Sequence, residues 1–262
     1  MTDHLLVNIE DGIATVIMNR PERRNALSNE MTLELPQLLS DLARDRKVGC
    51  VVLTGAGGAF CAGGDIKNMA DAASSVSLET GSERLRADME AGAWLHEMPK
   101  PTIAMLRGAV AGAGLSFALA CDVRIASEKT KMTSAFANVA FSGDHGASYF
   151  LTKMVGSAKA REIMLFPEVM DGRRAFELGL VNQVVADEKL EEMVMTLARR
   201  AAKGPQIAYG YMKRNLNAAE TQNLRQVLDL EAYHMTRCRF TEDHKIATQA
   251  FADNKPPVFV GR

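Results

Sequence analysis

Nowhere in this sequence do two cysteines form a CxxC pair, and no histidine–cysteine cluster occurs: Cys50, Cys61, Cys121 and Cys238 are scattered. That spacing argues against a zinc site and fits free thiols in a reducing compartment. A surplus of charge of either sign is also missing. Lys and Arg number 31 against 32 Asp and Glu, a net charge of −1, which gives no electrostatic reason for nucleic acid or an anionic membrane as partner. No apolar run approaches the ~20 residues of a membrane span, and no basic segment followed by an apolar run opens the chain. A cytoplasmic protein is expected. Strict internal repeats and low-complexity tracts are absent. So are the phosphate-loop patterns GxxxxGK[ST] and GxGxxG after the glycine-rich strand ends.

What is present is a chain of 262 residues, 47% hydrophobic and 24% charged. It is long enough to bury a proper core and has the balance of an ordinary globular enzyme. Residues 5–9 and 13–18 are β-type runs joined at Asp11-Gly12, a hairpin signal. Ser28 caps a helix with Met31, Leu35, Leu38, Leu39 and Leu42 on its apolar face; Pro36 inside that pattern predicts a kink or a shifted start. Residues 50–53 read as a buried strand that runs into the glycine-dense segment 54–69. Residues 70–85, rich in Ala, Ser and Asp, read as a surface loop or lid, followed by a helix from about 83 to 97 that two prolines end. Residues 123–126 and 180–185 read as strands, 131–144 as irregular cleft lining, 157–166 and 173–178 as short helices, and 190–202 as an amphipathic helix. From Gly204-Pro205 onward the pattern is helical, so a mixed α/β core with a helical extension is expected.

The most informative stretch is 108–122, GAVAGAGLSFALACD. Residues 102–106 before it are apolar and β-prone, and after Gly114 come Leu115, Phe117, Ala118 and Leu119 without a turn signal. This predicts a strand, a glycine turn and a helix buried on most sides. The first N–H groups of a helix lack partners within it and sit at the positive end of its dipole. Small residues at Gly112, Ala113 and Gly114 let a ligand atom come close to them. Such amides suit a developing oxyanion, where losing one donor costs about 3–4 kcal/mol of barrier. A turn that only packs a helix tightly on a sheet gives the same pattern. Residues 62–64, in AFCAGGDIKNM, make a second place where backbone N–H groups face a ligand, and Asp65 there would repel a phosphate.

Together, AFCAGGDIKNM and GAVAGAGLSFALACD at this spacing resemble the crotonase (enoyl-CoA hydratase/isomerase) family. The turn Asn19-Arg20-Pro21-Glu22, Val155-Gly156 with Arg161, and the tail QAFADNKPPVF extend the resemblance over nearly the whole length. The helix stretch, Ala135-Phe136 and Leu228-Asp229-Leu230-Glu231 look most like the phenylacetate-pathway isomerase branch. The resemblance implies an α/β fold, a crotonase-like spiral of ββα repeats over residues 1–198 that holds an acyl-CoA site. It also implies a helical oligomerisation region over 199–262 that makes homotrimers, or hexamers as dimers of trimers. The substrate it implies is an acyl-coenzyme A thioester, with no metal and no cofactor beyond the coenzyme A of that substrate. By position it assigns the two oxyanion amides to Ala62 and Ala113.

Hydratases of the family use two glutamates to place water and move the proton. The matching positions here are Ser116 and Phe136, neither a general base near neutral pH. The acidic residue that the resemblance leaves is Asp144, next to apolar Phe136 and Phe141, where a carboxylate with a raised pKa can carry a proton between two carbons of an enolate. A capping or solvated loop aspartate is the plainer alternative. His145 reads as a surface histidine, with assistance to Asp144 as the alternative, and Ser116 as bonded to its helix backbone, with holding a water as the alternative. The expected substrate contacts are Arg24, Ala26, Gly63, Asp65, Ile66, Gly114, Phe136, Phe141 and Lys255. Arg24 and Lys255 would meet the phosphates of coenzyme A, Phe136 would stack on a ring-shaped acyl group, and Asp65 would fix the loop presenting Ala62. Three functions stay open: isomerase or hydratase chemistry with Asp144 as the sole acid/base, isomerisation favoured; dehalogenation or hydrolysis of an aryl or cyclic acyl-CoA with Asp144 as nucleophile; and acyl-CoA binding without catalysis.

Overall fold

The computed structural model describes residues 2–65 and 77–262. Strands β1 (Leu5–Glu10) and β2 (Ile13–Met18) pair antiparallel with Glu10 opposite Ile13. Both turn residues, Asp11 and Gly12, hold positive φ (51° and 78°), as a two-residue hairpin turn requires. Ser28 Oγ accepts from the Met31 N–H and starts the helix Asn29–Arg44. That helix begins where the cap puts it and continues through Pro36, so the shifted start does not occur; buried Leu35, Leu39 and Leu42 hold the turn that lacks a proline N–H.

From there the chain winds between two layers. β3 (Cys50–Gly55) joins β2 in parallel, and the segment after it crosses to the second layer, where Gly64 bridges Leu27 and Cys61 bridges Val110. β4 (Thr102–Leu106) returns to the first sheet, β5 (Ala109–Ala111) enters the second, and the helix Ala113–Ala120 closes the turn. β6 (Val123–Ser127), β7 (Lys131–Thr133) and the helix Ala147–Leu165 repeat the cycle. β8 (Met170–Asp171), the helix Gly172–Glu177 and β9 (Gln183–Val185) finish it. The result is a six-stranded sheet ordered β1-β2-β3-β4-β6-β9 and a three-stranded sheet ordered β5-β7-β8, an α/β spiral of ββα turns.

The parallel strands β3 and β4 are mostly apolar, Cys50–Leu53 and Ile103–Leu106, because both of their faces are covered. On one face the helix Leu190–Ala202 places Leu190, Val194 and Ala198 against Ile13, Val52 and Ile103. The other face joins the larger core of Leu53, Phe60, Leu95 and Phe117. All eight residues of Ala113–Ala120 are buried, as a sequence with Ser116 as its one polar residue implies. The helices Gln206–Ala219, Leu224–Arg239 and Glu242–Ala252 follow. Buried Lys213 locks the first of them to the core by donating to Asp122 Oδ2 (2.8 Å) and Leu95 O (3.1 Å). Among the described residues no helix is long and apolar enough to cross a membrane.

Several local readings change. Ser77 caps a helix Leu78–Asp88, so the loop expected over 70–85 does not extend past 77, and its residues 70–76 lie outside the described residues. Glu90–Glu97 is a separate helix. The helix expected from 157 extends back to Ala147 across Gly156, whose φ of 73° interrupts it and hid the continuity. Leu180 is not strand, since its N–H donates to Ala175 O in the C-terminal turn of the preceding helix. Residues 131–144 are less irregular than expected, with β7 and a 3-10 turn at Phe136–Val139.

A Cβ at Gly114 would lie 2.3 Å from Cys61 O, whereas one at Gly81 would meet nothing within 4 Å. Gly114→Ala is therefore expected to destabilise the protein by about 1–3 kcal/mol through overpacking. Gly81→Ala, inside a helix, should leave stability unchanged or raise it by up to about 1 kcal/mol. Urea denaturation of the two variants beside the parent checks the pair.

Candidate active site

Main-chain hydrogen bonds bring the two glycine segments side by side. Cys61 N–H donates to Ala109 O (3.0 Å), and Ala111 N–H donates to Cys61 O (2.9 Å). Gly114 lets the helix start directly on Cys61, and a Cβ at Gly63 would already be 3.0 Å from Ala111 O. Asn25, fully buried with φ of 57°, clamps the first segment from its other side. Its Nδ2 donates to Ala56 O (2.9 Å) and Ala59 O (2.7 Å), and its Oδ1 accepts from the Arg20 N–H (2.9 Å). Asn25 was not among the expected site residues. The available signal was its residue type, since asparagine after a proline turn readily takes a left-handed conformation and bonds nearby backbone.

The amides do not fall as the resemblance assigned them. Ala62 N–H donates to Arg24 O at 3.0 Å, so it is engaged within the protein. Leu27 N–H donates to Gly63 O and Asp65 N–H donates to Leu27 O, a parallel bridge that leaves the intervening Gly64 N–H directed away from Leu27 and without a partner among the described residues. The positive φ of Gly63 (94°) breaks the extended alternation at this point. On the second segment, Gly112 turns the chain with φ of 52°, and Ala113 N–H, first in the helix, has no carbonyl to reach. Where the two segments meet, the open amides of Gly64 and Ala113 are the pair that the resemblance's oxyanion site calls for.

Asp144 lies between Gly143 (φ 108°) and His145 (φ 45°), just before the helix that follows Gly146. Its carbonyl accepts from the Ala147 N–H (3.0 Å). Its side chain is half-buried, with Oδ1 sealed from solvent and unpartnered. Burial pushes its pKa up to about 6. The Cys61 thiol is pushed up to about 12, by burial above all and, less, by the charge on Asp144. Phe136 is buried beside the Gly112 turn. Ser116 Oγ donates to Gly112 O (3.3 Å), the backbone role expected of it.

The remaining expected contacts separate. Asp65 pairs with Arg20 Nη2 at 2.9 Å, and Arg20 Nη1 donates to Ala26 O, so both residues are held into the loop scaffold. Arg24 is exposed, and its carbonyl makes the contact to Ala62. Phe141 is exposed at the cleft loop and Lys255 in the C-terminal tail. Ile66 lies outside the described residues. His145 is only 4% exposed, against the expectation of a surface histidine. Its ring packs on Phe117 (4.6 Å between centroids), and glycine at position 92 makes room for its carbonyl. Among the described residues no three His, Cys, Asp or Glu side chains gather as a metal site would.

Comparison with known proteins places the chain by family and fold. The family model for enoyl-CoA hydratase/isomerase matches residues 8–262. The 1,2-epoxyphenylacetyl-CoA isomerase of Escherichia coli (strain K12) is 33% identical, with 100% of each chain covered. A crystal structure from Streptomyces coelicolor A3(2) superposes with a TM-score of 0.95 at 35% identity, covering 99% of this chain and 94% of that one. The enoyl-CoA hydratase of Bacillus anthracis superposes with a TM-score of 0.92 at 27% identity, covering 99% and 100%.

A carboxyl whose pKa is higher in the fold than in the unfolded chain binds its proton more tightly when native, so stability falls as pH rises between the two values. For Asp144 that window runs from the ordinary aspartate value of 3.8 to about 6. Asp144→Asn is expected to be as stable as the parent near pH 3.5 and more stable at pH 8, by up to about 3 kcal/mol. Urea midpoints measured across that range check it, and a difference independent of pH would count against a buried carboxyl.

Proposed function

The chain belongs to the enoyl-CoA hydratase/isomerase family, and we propose that it is an acyl-CoA isomerase in which Asp144 alone moves the proton. The amides of Gly64 and Ala113 donate to the thioester carbonyl oxygen of a 3-enoyl-CoA. The Asp144 carboxylate takes a proton from the carbon next to that carbonyl, and the electron pair passes onto the oxygen as an enolate. The protonated carboxyl then returns the proton to the γ carbon, the enolate collapses, and the 2-enoyl thioester leaves. Atoms balance without water, metal or redox cofactor. Gly64 takes the role first given to Ala62, whose own amide holds the loop to Arg24.

The observation that carries this reading is a single half-buried carboxyl with an unpartnered oxygen and no second acid or base at positions 116 and 136. A pKa near 6 suits a group that must both accept and return a proton near neutrality. Hydration needs a second group to place and activate water, and Ser116 is engaged with its own helix. The same reading has residues 1–198 holding the site and residues 199–262 joining chains into trimers or dimers of trimers in the cytoplasm. Exposed Leu216, Leu228, Met235 and Phe251 support that assembly. Arg24 and Lys255 are the cations assigned to the coenzyme A phosphates.

Incubation of a 3-enoyl-CoA in deuterated water, read by mass and by the absorbance of the conjugated product, is expected to give the 2-enoyl isomer with no added water, and with deuterium only to the extent that the Asp144 carboxyl exchanges its proton before returning it. Gain of water, or a covalent ester on Asp144, would overturn the proposal. Asp144→Asn should lower the isomerisation rate by about 10²–10⁴-fold. Ala113→Pro removes one donor at a helix position where proline fits. It should keep the parent's circular dichroism spectrum while kcat falls by about 10²–10³-fold.

A further inference from the structure

The loop that carries Asp144 is held in a conformation that its sequence does not favour. Its non-glycine residues Ala135, Ala140 and His145 have positive φ (56°, 59° and 45°). Such residues enter that region at a cost and keep it only where packing over-determines it. Here the packing comes from the helix Ala113–Ala120, whose first N–H is one of the open donors. At one end of the loop, Phe136 Cε1 lies 3.8 Å from where a Cβ on Gly112 would stand. At the other end the His145 ring rests on Phe117, one turn along from Ala113, with ring centroids 4.6 Å apart. The His145 carbonyl is seated against the helix Glu90–Glu97, where a Cβ at Gly92 would meet it at 2.7 Å. The loop is thus pinned on both sides of Asp144 to the helix that presents the Ala113 amide. His145 Nδ1 is sealed from solvent without a partner among the described residues, and burial holds the pKa of the ring down near 4. What the ring supplies at neutral pH is therefore apolar contact and shape.

We propose that His145 is a positioning residue: its ring on Phe117 docks the Asp144 loop to the helix that bears the Ala113 donor, and so keeps the carboxyl out of water beside the thioester. This rests on the isomerase reading above. Burial is what raises the Asp144 pKa, so that pKa reports how far water reaches the carboxyl. The Cys61 thiol, which feels the charge on Asp144, and the His145 ring are both uncharged near neutrality. The test compares three variants. His145→Phe keeps a ring, His145→Asn suits a left-handed φ but lacks one, and Gly92→Ala displaces the His145 carbonyl from the helix side. Carboxyl ¹³C NMR follows the Asp144 titration, identified by the signal lost in Asp144→Asn, and kinetics with a 3-enoyl-CoA give kcat and KM. In His145→Asn and Gly92→Ala the Asp144 pKa should fall from about 6 towards the ordinary 3.8. Their kcat should drop by up to about 10²-fold with KM little changed. His145→Phe should keep both readings near the parent's. An unmoved pKa in His145→Asn, or a loss in His145→Phe as large as in His145→Asn, overturns the assignment. Gly92→Ala decides it by the same readings should His145→Asn fail to fold. A pKa that falls in these variants when even the parent shows no isomerisation upholds the positioning role and sinks the isomerase reading instead.

Discussion

Direct contact of main chain with main chain, with no side chain between, is the constraint on which this molecule depends. Cys61 touches the start of the Ala113–Ala120 helix through Gly114 and is hydrogen-bonded to the strand that leads into it. Any Cβ at position 114 would push the two segments apart, and with them the open amides of Gly64 and Ala113. The glycine density that stands out in the sequence is thus the geometric condition for two backbone loops to share one site.

Around that contact the fold supplies rigidity from groups that touch no ligand. Asn25 ties the first loop through three hydrogen bonds, and Arg20 holds both Asp65 and the Ala26 carbonyl. Arg20 and Asp65 next to the site therefore satisfy one another, and the electrostatics left for the thioester carbonyl come from backbone dipoles and the Asp144 carboxyl. Such pre-oriented dipoles need no rearrangement as charge develops, which is where their advantage over solvent lies.

Much of this was legible in the sequence because it is local. The Asp11-Gly12 turn, the Ser28 cap and the apolar run 113–120 each name their own conformation, and the spiral follows from their order once a family resemblance sets the register. What was not legible depends on contacts distant in sequence. Whether Ala62 or Gly64 keeps a free amide is decided by the φ of Gly63 and by the carbonyls of Arg24 and Leu27. His145 is buried because Phe117 and Gly92 receive it, and neither lies near it in the chain. The helix start at Asn29 does not shift for Pro36 for the same reason, since the buried leucines around it outweigh its local preference.

The open donors of this site belong to the peptide unit, so no codon specifies them directly. Side-chain replacement across the cleft can alter which molecule enters and what happens to it while the two donors persist, and only changes to the spacer glycines or to proline can abolish them. A library diversified at the lining positions of this scaffold would therefore explore new chemistry without losing the feature every variant needs.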